Sequence, residues 1–89
     1  MSPLREQVAQ AVQTYIEARL IALGKAHGAL AASVNLFEEG VLDSIALTGL
    51  IAAVEYATGR DIDFIDVDPE ALGTIDSIVD ELVRVVERQ

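Results

Sequence analysis

Hydrophobic residues recur every three or four positions in three stretches of the chain, which is the spacing that places them on one face of an α-helix. The first stretch follows Ser2-Pro3, a pair typical of a helix N-cap and first turn. It stops at Gly24, a residue type that commonly ends helices. We therefore predict a first helix between these residues, with an apolar stripe of Val8, Ala11, Val12, Tyr15, Ile16, Leu20 and Leu23.

A second stretch begins at Asp43-Ser44, either of which is a suitable N-cap, and ends at Gly59. Gly49 interrupts the middle of this helix, where glycine is about 1 kcal/mol less favourable than alanine. One interpretation is that glycine lets a neighbouring element approach closely. The predicted apolar stripe is Leu47, Leu50, Ile51, Val54 and Ala57.

The end of the chain predicts a short helix followed by a long one. Asp68 to Gly73 has a cap, a proline and a glycine in the order of a single helical turn. Thr74 then caps a final helix, whose stripe is Ile75, Ile78, Val79, Leu82, Val85 and Val86.

The connection between the first two long helices, residues 25–42, has no sustained period. A short helix inside Ala29–Val34 is compatible with its sequence. We predict one all-α domain over residues 1–89, an irregular four-helix bundle with three main helices and one short helix. The apolar residues expected to pin the connection across the bundle are Leu30, Val34, Leu36, Phe37, Val41 and Leu42.

The composition narrows the range of functions. Apolar residues make up 52% of the 89 residues, which favours a packed core over a disordered acidic chain. Fifteen acidic residues against six basic ones leave a net charge of −9. Nucleic-acid phosphates and anionic membrane surfaces repel such a chain, so the expected partners are proteins with basic surfaces.

Cysteine and long apolar runs are both absent from the sequence. We therefore predict no disulfide, no thiolate metal site and no cysteine nucleophile. The start of the chain lacks the apolar run of a signal peptide. No stretch reaches the roughly 18 apolar residues of a membrane span. The lack of a signal peptide and of a membrane span predicts a soluble cytoplasmic protein, and we expect it to be a monomer.

The segment from Leu36 to Ile45, Leu-Phe-Glu-Glu-Gly-Val-Leu-Asp-Ser-Ile, is the most informative in the chain. It places the Ser44 hydroxyl at the mouth of a helix, directly after a glycine-containing loop. Unpaired backbone N–H groups and the positive end of the helix dipole gather there, so a phosphate attached to Ser44 would be stabilised. The alternative is that Asp43 and Ser44 merely cap the helix.

This segment resembles the attachment site of the acyl, peptidyl and D-alanyl carrier proteins, whose signature is Asp-Ser-Leu or Asp-Ser-Ile at the start of a second helix. The resemblance covers nearly the whole chain. It includes the first helix, the long loop, the second helix to Gly59, Asp61-Ile62, and the entry to the last helix at Thr74-Ile75-Asp76-Ser77-Ile78.

The resemblance implies a carrier protein, not an enzyme, that holds acyl or aminoacyl groups as thioesters on a 4'-phosphopantetheine arm. A separate magnesium-dependent phosphopantetheinyl transferase would move this arm from coenzyme A to Ser44, and Asp43 would help to engage the transferase and its metal. The lack of protein cysteine agrees with this, because the reactive thiol belongs to the arm. The other implied partners are an acyl- or aminoacyl-activating ligase and a downstream acyl-accepting enzyme.

The second helix departs from that of fatty-acid carrier proteins, which present acidic residues to basic enzymes. Its one carboxylate is Glu55, and the positions that match the acidic residues of those proteins hold neutral residues here. We therefore favour a discrete carrier of specialised metabolism, of the aminoacyl, nonribosomal-peptide or polyketide-like kind. The matching positions hold Ala46, Gly49, Tyr56 and Ala57. The predicted outward, partner-binding face is Ile45, Ala46, Thr48, Gly49, Ala52 and Ala53.

A second Asp-Ser-Ile occurs at Asp76-Ser77-Ile78, inside the first turn of a helix that Thr74 already caps. No glycine loop precedes it, and Asp76 there complements the helix dipole. We interpret Ser77 as ordinary helix surface and Ser44 as the attachment site.

A hydrolase mechanism for Ser44 would need a positioned base. His27 is the one histidine, and the sequence has no Gly-x-Ser-x-Gly elbow. We therefore interpret His27 as an exposed loop residue.

The acidic run from Asp61 to Asp68 suggests calcium, but it lacks the glycine and glutamate that an EF-hand needs at fixed positions. We interpret it as a solvated acidic loop with Ile62, Phe64, Ile65 and Val67 turned partly inward. For the chain as a whole, the alternatives to a carrier are an unmodified helical interaction module and an acidic ion-binding protein.

Overall fold

The computed structural model describes residues 2–24 and 34–88. Within these ranges the chain forms three α-helices and no strand. They are α1 (Pro3–Leu23), α2 (Ser44–Thr58) and α3 (Ile75–Glu87), with single 3₁₀ turns at Phe64–Asp66 and Pro69–Ala71. The predicted all-α bundle of three main helices and a short one is confirmed.

The sequence prediction missed one of the two short turns. The single turn predicted after Asp68 is the 3₁₀ turn at Pro69–Ala71, whereas the turn at Phe64–Asp66 was not predicted. The predicted short helix inside Ala29–Val34, the predicted pin Leu30 and the predicted loop residue His27 lie outside the described residues.

Side-chain caps define where the helices begin. The Ser2 hydroxyl accepts a hydrogen bond from the Arg5 N–H at 3.2 Å. Asp43, not Ser44, is the N-cap of α2. α1 and α2 both end at a glycine in the left-handed region, Gly24 and Gly59, each with φ of 69°. The predicted ends of these helices are therefore confirmed.

The core lies between one face of each helix. α1 contributes buried residues at intervals of four and contacts both other helices. The fully or nearly fully buried residues of the three helices are Val8, Val12, Ile16, Leu20, Ala46, Leu50, Ile51, Val54, Ile78, Val79, Leu82, Val83, Val85 and Val86.

The predicted stripe of α2 is wrong at one position. Ala57 is exposed, and Ala46 is buried instead, with 4% of its surface accessible. Ala46 precedes Leu50 by four residues and Val54 by eight, so all three lie on the same side of the helix. Ala57 lies near the end of α2 and lines a groove beside α1.

The connection leading to α2 is fastened to the segment before α3. The Leu36 N–H donates to the Gly73 carbonyl at 2.9 Å, and the Val41 and Leu42 N–H groups both donate to the Leu36 carbonyl. Leu36, Val41 and Leu42 are buried, as predicted. Phe37 remains at the surface with 36% of its area accessible, so it does not pin the connection as predicted.

The acidic loop between α2 and α3 is held by carboxylates of the helices. Glu55 accepts the Ile62 N–H at 2.7 Å, and Glu81 accepts the Asp68 N–H at 2.7 Å. The loop buries Ile62 and Val67, as predicted.

Phe64 and Ile65 were also predicted to turn partly inward, but they are 47% and 89% exposed. The Asp63 side chain accepts the Ile65 N–H and so starts a 3₁₀ turn over these residues. None of the residues in that turn is buried.

Candidate functional site

Ser44 is the first residue of α2, and its side chain is exposed. The neighbouring Asp43 carboxylate accepts the Ala46 N–H at 2.7 Å. Because Asp43 performs the capping, the Ser44 hydroxyl is not needed for it, and it has no hydrogen-bond partner among the described residues. The sequence left open which of the two residues caps the helix, and the structure assigns the cap to Asp43.

A shallow apolar pocket lies beside Ser44. It has a volume of about 360 Å³, and among the described residues that line it Ser44 is the one with a hydroxyl. The pocket lies between the connection before α2, α2 itself and the loop after it. The other lining residues are Phe37, Leu47, Phe64, Pro69 and Leu72.

This setting fits a phosphopantetheine group. The hydroxyl needed for a phosphodiester bond is exposed, and the N-terminal N–H groups of the 15-residue helix α2 favour a phosphate at this point. The apolar pocket offers a surface to the uncharged part of an arm. Two aromatic residues that remain exposed, Phe37 and Phe64, form part of that surface.

The predicted partner-binding face of α2 is only partly exposed. Ile45, with 85% of its area accessible, Thr48 and Ala52 all point outward. Ala46 does not, since it is part of the core. The prediction was wrong at Ala46 because a small residue is compatible with either side of a helix, and in the folded chain Ala46 belongs to the core cluster.

Gly49 and Ala53 also face α1 rather than open solvent. A Cβ atom on Gly49 would overlap the Tyr15 hydroxyl and lie 3.0 Å from the ring carbon Cζ. The prediction that glycine admits a close neighbour is therefore confirmed, whereas its placement on the outward face was wrong. Ala53 is half-buried and lines the groove between α1 and α2.

Four exposed residues of α2 lie along one side of the helix and form a strip, which we define as Ile45, Thr48, Ala52 and Tyr56. Tyr56 is 93% exposed and follows Ala52 by four residues, so it continues the same side of the helix. The sequence analysis noted Tyr56 only as a missing acid. Tyr56 follows Ile45 by about three helical turns and Ala52 by about one turn. This helical spacing was the signal in the sequence that could have placed Tyr56 on the strip.

A larger groove of about 560 Å³ runs between α1 and α2. Its lining includes Ala11, Ala18, Ala53 and Ala57, but not Ser44. The smaller pocket is therefore the one that belongs to the serine site.

Ser77, in the second Asp-Ser-Ile, has a structural role. It is half-buried, and its hydroxyl accepts the Thr74 N–H at 3.0 Å while its own N–H donates to the Thr74 hydroxyl at 3.2 Å. This reciprocal pair is a capping box at the start of α3. Ser77 is therefore part of a helix cap and not ordinary helix surface as predicted. In the two copies of the tripeptide, the Ser77 hydroxyl is hydrogen-bonded and half-buried, whereas the Ser44 side chain is exposed.

No group of three or more His, Asp or Glu side chains in the described ranges is arranged to hold a metal ion. In the acidic loop, Asp63 and Asp68 each accept a backbone N–H within their own 3₁₀ turns. In the same part of the chain, no helix is both long enough and apolar enough to span a membrane.

Comparison with known proteins gives one result. A family model described as a phosphopantetheine attachment site matches residues 18–82, which is nearly three quarters of the chain and includes both Ser44 and Ser77. No curated protein and no solved structure matches the chain.

Proposed function

The chain belongs to the family with a phosphopantetheine attachment site, and from this premise we propose that Ser44 is the residue that carries the 4'-phosphopantetheine arm. One observation carries the proposal. Of the two serines found in an Asp-Ser-Ile sequence within the matched range, Ser44 has an exposed hydroxyl with no hydrogen-bond partner among the residues that the structure describes, whereas Ser77 is engaged in a capping box.

For the arm to be attached, the Ser44 hydroxyl must act as a nucleophile. The Ser44 Oγ forms a bond to the pantetheine-linked phosphorus of coenzyme A, the bond between the two phosphates breaks, and adenosine bisphosphate leaves. The hydroxyl proton passes to a base of the transferase. Asp43 supports the reaction by capping α2 itself, which leaves the neighbouring hydroxyl available, and we assign it the further role of engaging the transferase and its magnesium ion.

The cargo is carried by the arm and not by a protein side chain. The arm supplies a terminal thiol on which acyl or aminoacyl groups are held as thioesters, and this chain has no cysteine to compete with it. The apolar pocket of Phe37, Leu47 and Phe64 gives the arm a surface to lie against. Carrying a group in this way requires no catalytic residue in the chain.

The exposed strip of α2 is the proposed docking surface for the partner enzymes. These are the phosphopantetheinyl transferase, an acyl- or aminoacyl-activating ligase and a downstream acyl-accepting enzyme. The strip adjoins Ser44 and carries no charge, although the chain has a net charge of −9. This uncharged surface supports a carrier of specialised metabolism, of the aminoacyl, nonribosomal-peptide or polyketide-like kind, rather than one that recruits basic enzymes through an acidic helix.

Intact mass spectrometry tests the attachment site. The protein is incubated with coenzyme A, magnesium and a broad-range phosphopantetheinyl transferase. We expect the wild type to gain the mass of one arm and Ser44→Ala to gain none. Ser44→Ala should still fold and lose about 1 kcal/mol of stability or less, because Asp43 continues to cap the helix.

Ser77→Ala is the matched control. It removes the other serine of the same tripeptide and half of the capping box, which lowers the stability by about 1 kcal/mol. We expect it to be modified as fast as the wild type. Modification of Ser44→Ala, or a large loss of rate in folded Ser77→Ala, would reassign the site. An unmodified wild type would favour an interaction module without an arm.

A further inference from the structure

Arg19 connects α1, the helix that contacts both other helices, to the segment that leads into Ser44. Its Nε donates to the Val41 carbonyl at 3.2 Å in a half-buried position. In the part of the chain that the structure describes, no other side chain of a helix makes a hydrogen bond to the connection 34–42. Neither the sequence pattern nor the attachment motif indicated a role for this arginine.

The residue that Arg19 holds is itself central to the connection. Val41 is fully buried, and its N–H donates to the Leu36 carbonyl at 2.9 Å. Leu36 in turn donates to the Gly73 carbonyl, just before α3. The Val41 N–H is therefore held through Leu36 to the segment before α3. The Val41 carbonyl is held by Arg19 of α1.

Ser44 follows Val41 by three residues, with the Asp43 cap between them. The place of the serine on the bundle thus depends on how firmly the Val41 turn is held. A guanidinium bonded to a carbonyl is a charge-assisted hydrogen bond, which is stronger than a neutral one. Its loss allows the turn to populate other arrangements, in which the hydroxyl and the adjacent strip no longer have the geometry that a partner binds.

We infer that Arg19 is a positioning residue for arm attachment, an inference that rests on the proposed role of Ser44. Arg19 acts through the Val41 carbonyl and does not touch the reacting atoms. When only a fraction of the molecules has the binding-competent arrangement, the apparent Kd equals the intrinsic Kd divided by that fraction. Loss of Arg19 therefore raises the KM of the transferase for the carrier and leaves kcat unchanged, because the competent molecules react as before.

The test measures arm-transfer kinetics on Arg19→Gln, Arg19→Lys and Arg5→Gln. Arg5 is the matched control: it lies on the same helix and bonds Asp80 of α3 at 2.6 Å, far along the chain from the Val41 turn. We expect Arg19→Gln to raise KM about five- to tenfold with kcat unchanged. Arg19→Lys, which keeps a charged donor, should be intermediate, and Arg5→Gln should have the wild-type KM.

Amide hydrogen exchange supplies a readout that does not depend on the transferase. In Arg19→Gln, the Val41 and Leu42 amides should exchange about five to ten times faster, because their bonds to the Leu36 carbonyl open more often. The amides of Leu50 and Val54 in the middle of α2 should keep their protection. A general loss of stability would instead accelerate all four amides together.

Three results would overturn the inference. They are an unchanged KM in Arg19→Gln, an equal rise in KM in Arg5→Gln, and unchanged protection at Val41 and Leu42. A wild type that accepts no arm would contradict the proposed function instead, and the exchange data would still decide whether Arg19 holds the turn.

Discussion

At the scale of single residues, Gly49 and Tyr15 form a pair across two helices. The Tyr15 ring occupies the space that a side chain at Gly49 would need, with ring carbons 3.0 and 3.1 Å from the Cβ position. Glycine inside a helix is less favourable than alanine by about 1 kcal/mol. The packing of the ring against bare backbone offsets this penalty, and it brings α1 and α2 close together.

This pair predicts a coupling between two substitutions. In a Tyr15→Ala background, Gly49→Ala should raise the free energy of unfolding by about 1 kcal/mol, because nothing then occupies the Cβ position. In the wild type the same substitution should give no gain or a loss, because the ring must move toward the α1–α2 groove. Urea denaturation of the four proteins measures the coupling energy. Additive effects would show that the ring is free to move at no cost.

Asp43 and Ser44 are another case in which adjacent residues have separate roles. Both are common caps, and either can accept an N–H bond at a helix start. In the structure the aspartate accepts the Ala46 N–H, and the serine begins the helix with a hydroxyl that bonds none of the described residues. The chemistry proposed for the serine depends on this division.

At the scale of an element, α2 presents different residues to the core, to α1 and to solvent. The inner side holds Leu50 and Val54, the side toward α1 holds Gly49 and Ala53, and the outer strip continues from Ile45 to Tyr56. Glu55 accepts the Ile62 N–H, so it fastens the following loop to α2. The strip itself consists of uncharged side chains, and these are what a partner that approaches it would meet.

If the proposed activating enzyme docks on the strip, charge introduced on α2 should affect the rate of loading. Ala52→Glu should lower kcat/KM for loading of the holo form by about tenfold or more, because the interface would bury an unpaired carboxylate. Ala57→Glu places the same charge on the same helix at an exposed position outside the strip, and it should load nearly as well as the wild type. Equal effects at the two positions would mean that the partner does not dock on the strip.

At the scale of the whole molecule, Glu81 fastens the acidic loop to α3. Its side chain is buried, with 6% of its area accessible, and it bonds the Arg84 guanidinium and the Asp68 N–H. Arg84 also donates to the Asp66 carbonyl at 2.9 Å. The hydrogen bonds from Arg84 lower the pKa of Glu81 below the usual 4.5, although burial acts in the opposite direction.

The lowered pKa predicts how the contribution of Glu81 varies with pH. A carboxylate with a depressed pKa in the folded state stabilises the protein above its unfolded-state pKa, and this stability is lost as the pH falls through the folded-state pKa. Glu81→Gln should therefore lower the free energy of unfolding by about 1 to 2 kcal/mol at neutral pH. The difference from the wild type should shrink below a pH of about 4.5.

Urea denaturation at a series of pH values provides the measurement, and Asp80→Asn is the control. Asp80 pairs with Arg5 in an exposed salt bridge, which contributes little to stability. Its loss should change the unfolding free energy by less than about 1 kcal/mol. A Glu81→Gln deficit that stayed constant into acid would mean that Glu81 has the same pKa in both states.

The sequence alone determined the features that depend on short-range periodicity and on local backbone chemistry. The apolar spacing of α1 and α3, the caps at Ser2 and Thr74 and the stops at Gly24 and Gly59 all require only neighbouring residues. The segment from Leu36 to Ile45 likewise showed its resemblance to an attachment site without the structure, because ten consecutive residues carry that resemblance.

The tertiary structure decided which side of α2 faces the core and which groups hold the site in place. Alanine and glycine lose little by being either buried or exposed, so the sequence could not tell that Ala46 is inside, that Ala57 is outside, or that Tyr15 covers Gly49. The bond from Arg19 to the Val41 carbonyl joins residues 22 positions apart, and backbone carbonyls leave no trace in the sequence. Such a contact forms only when helix packing brings residues that are distant in the sequence close together in space.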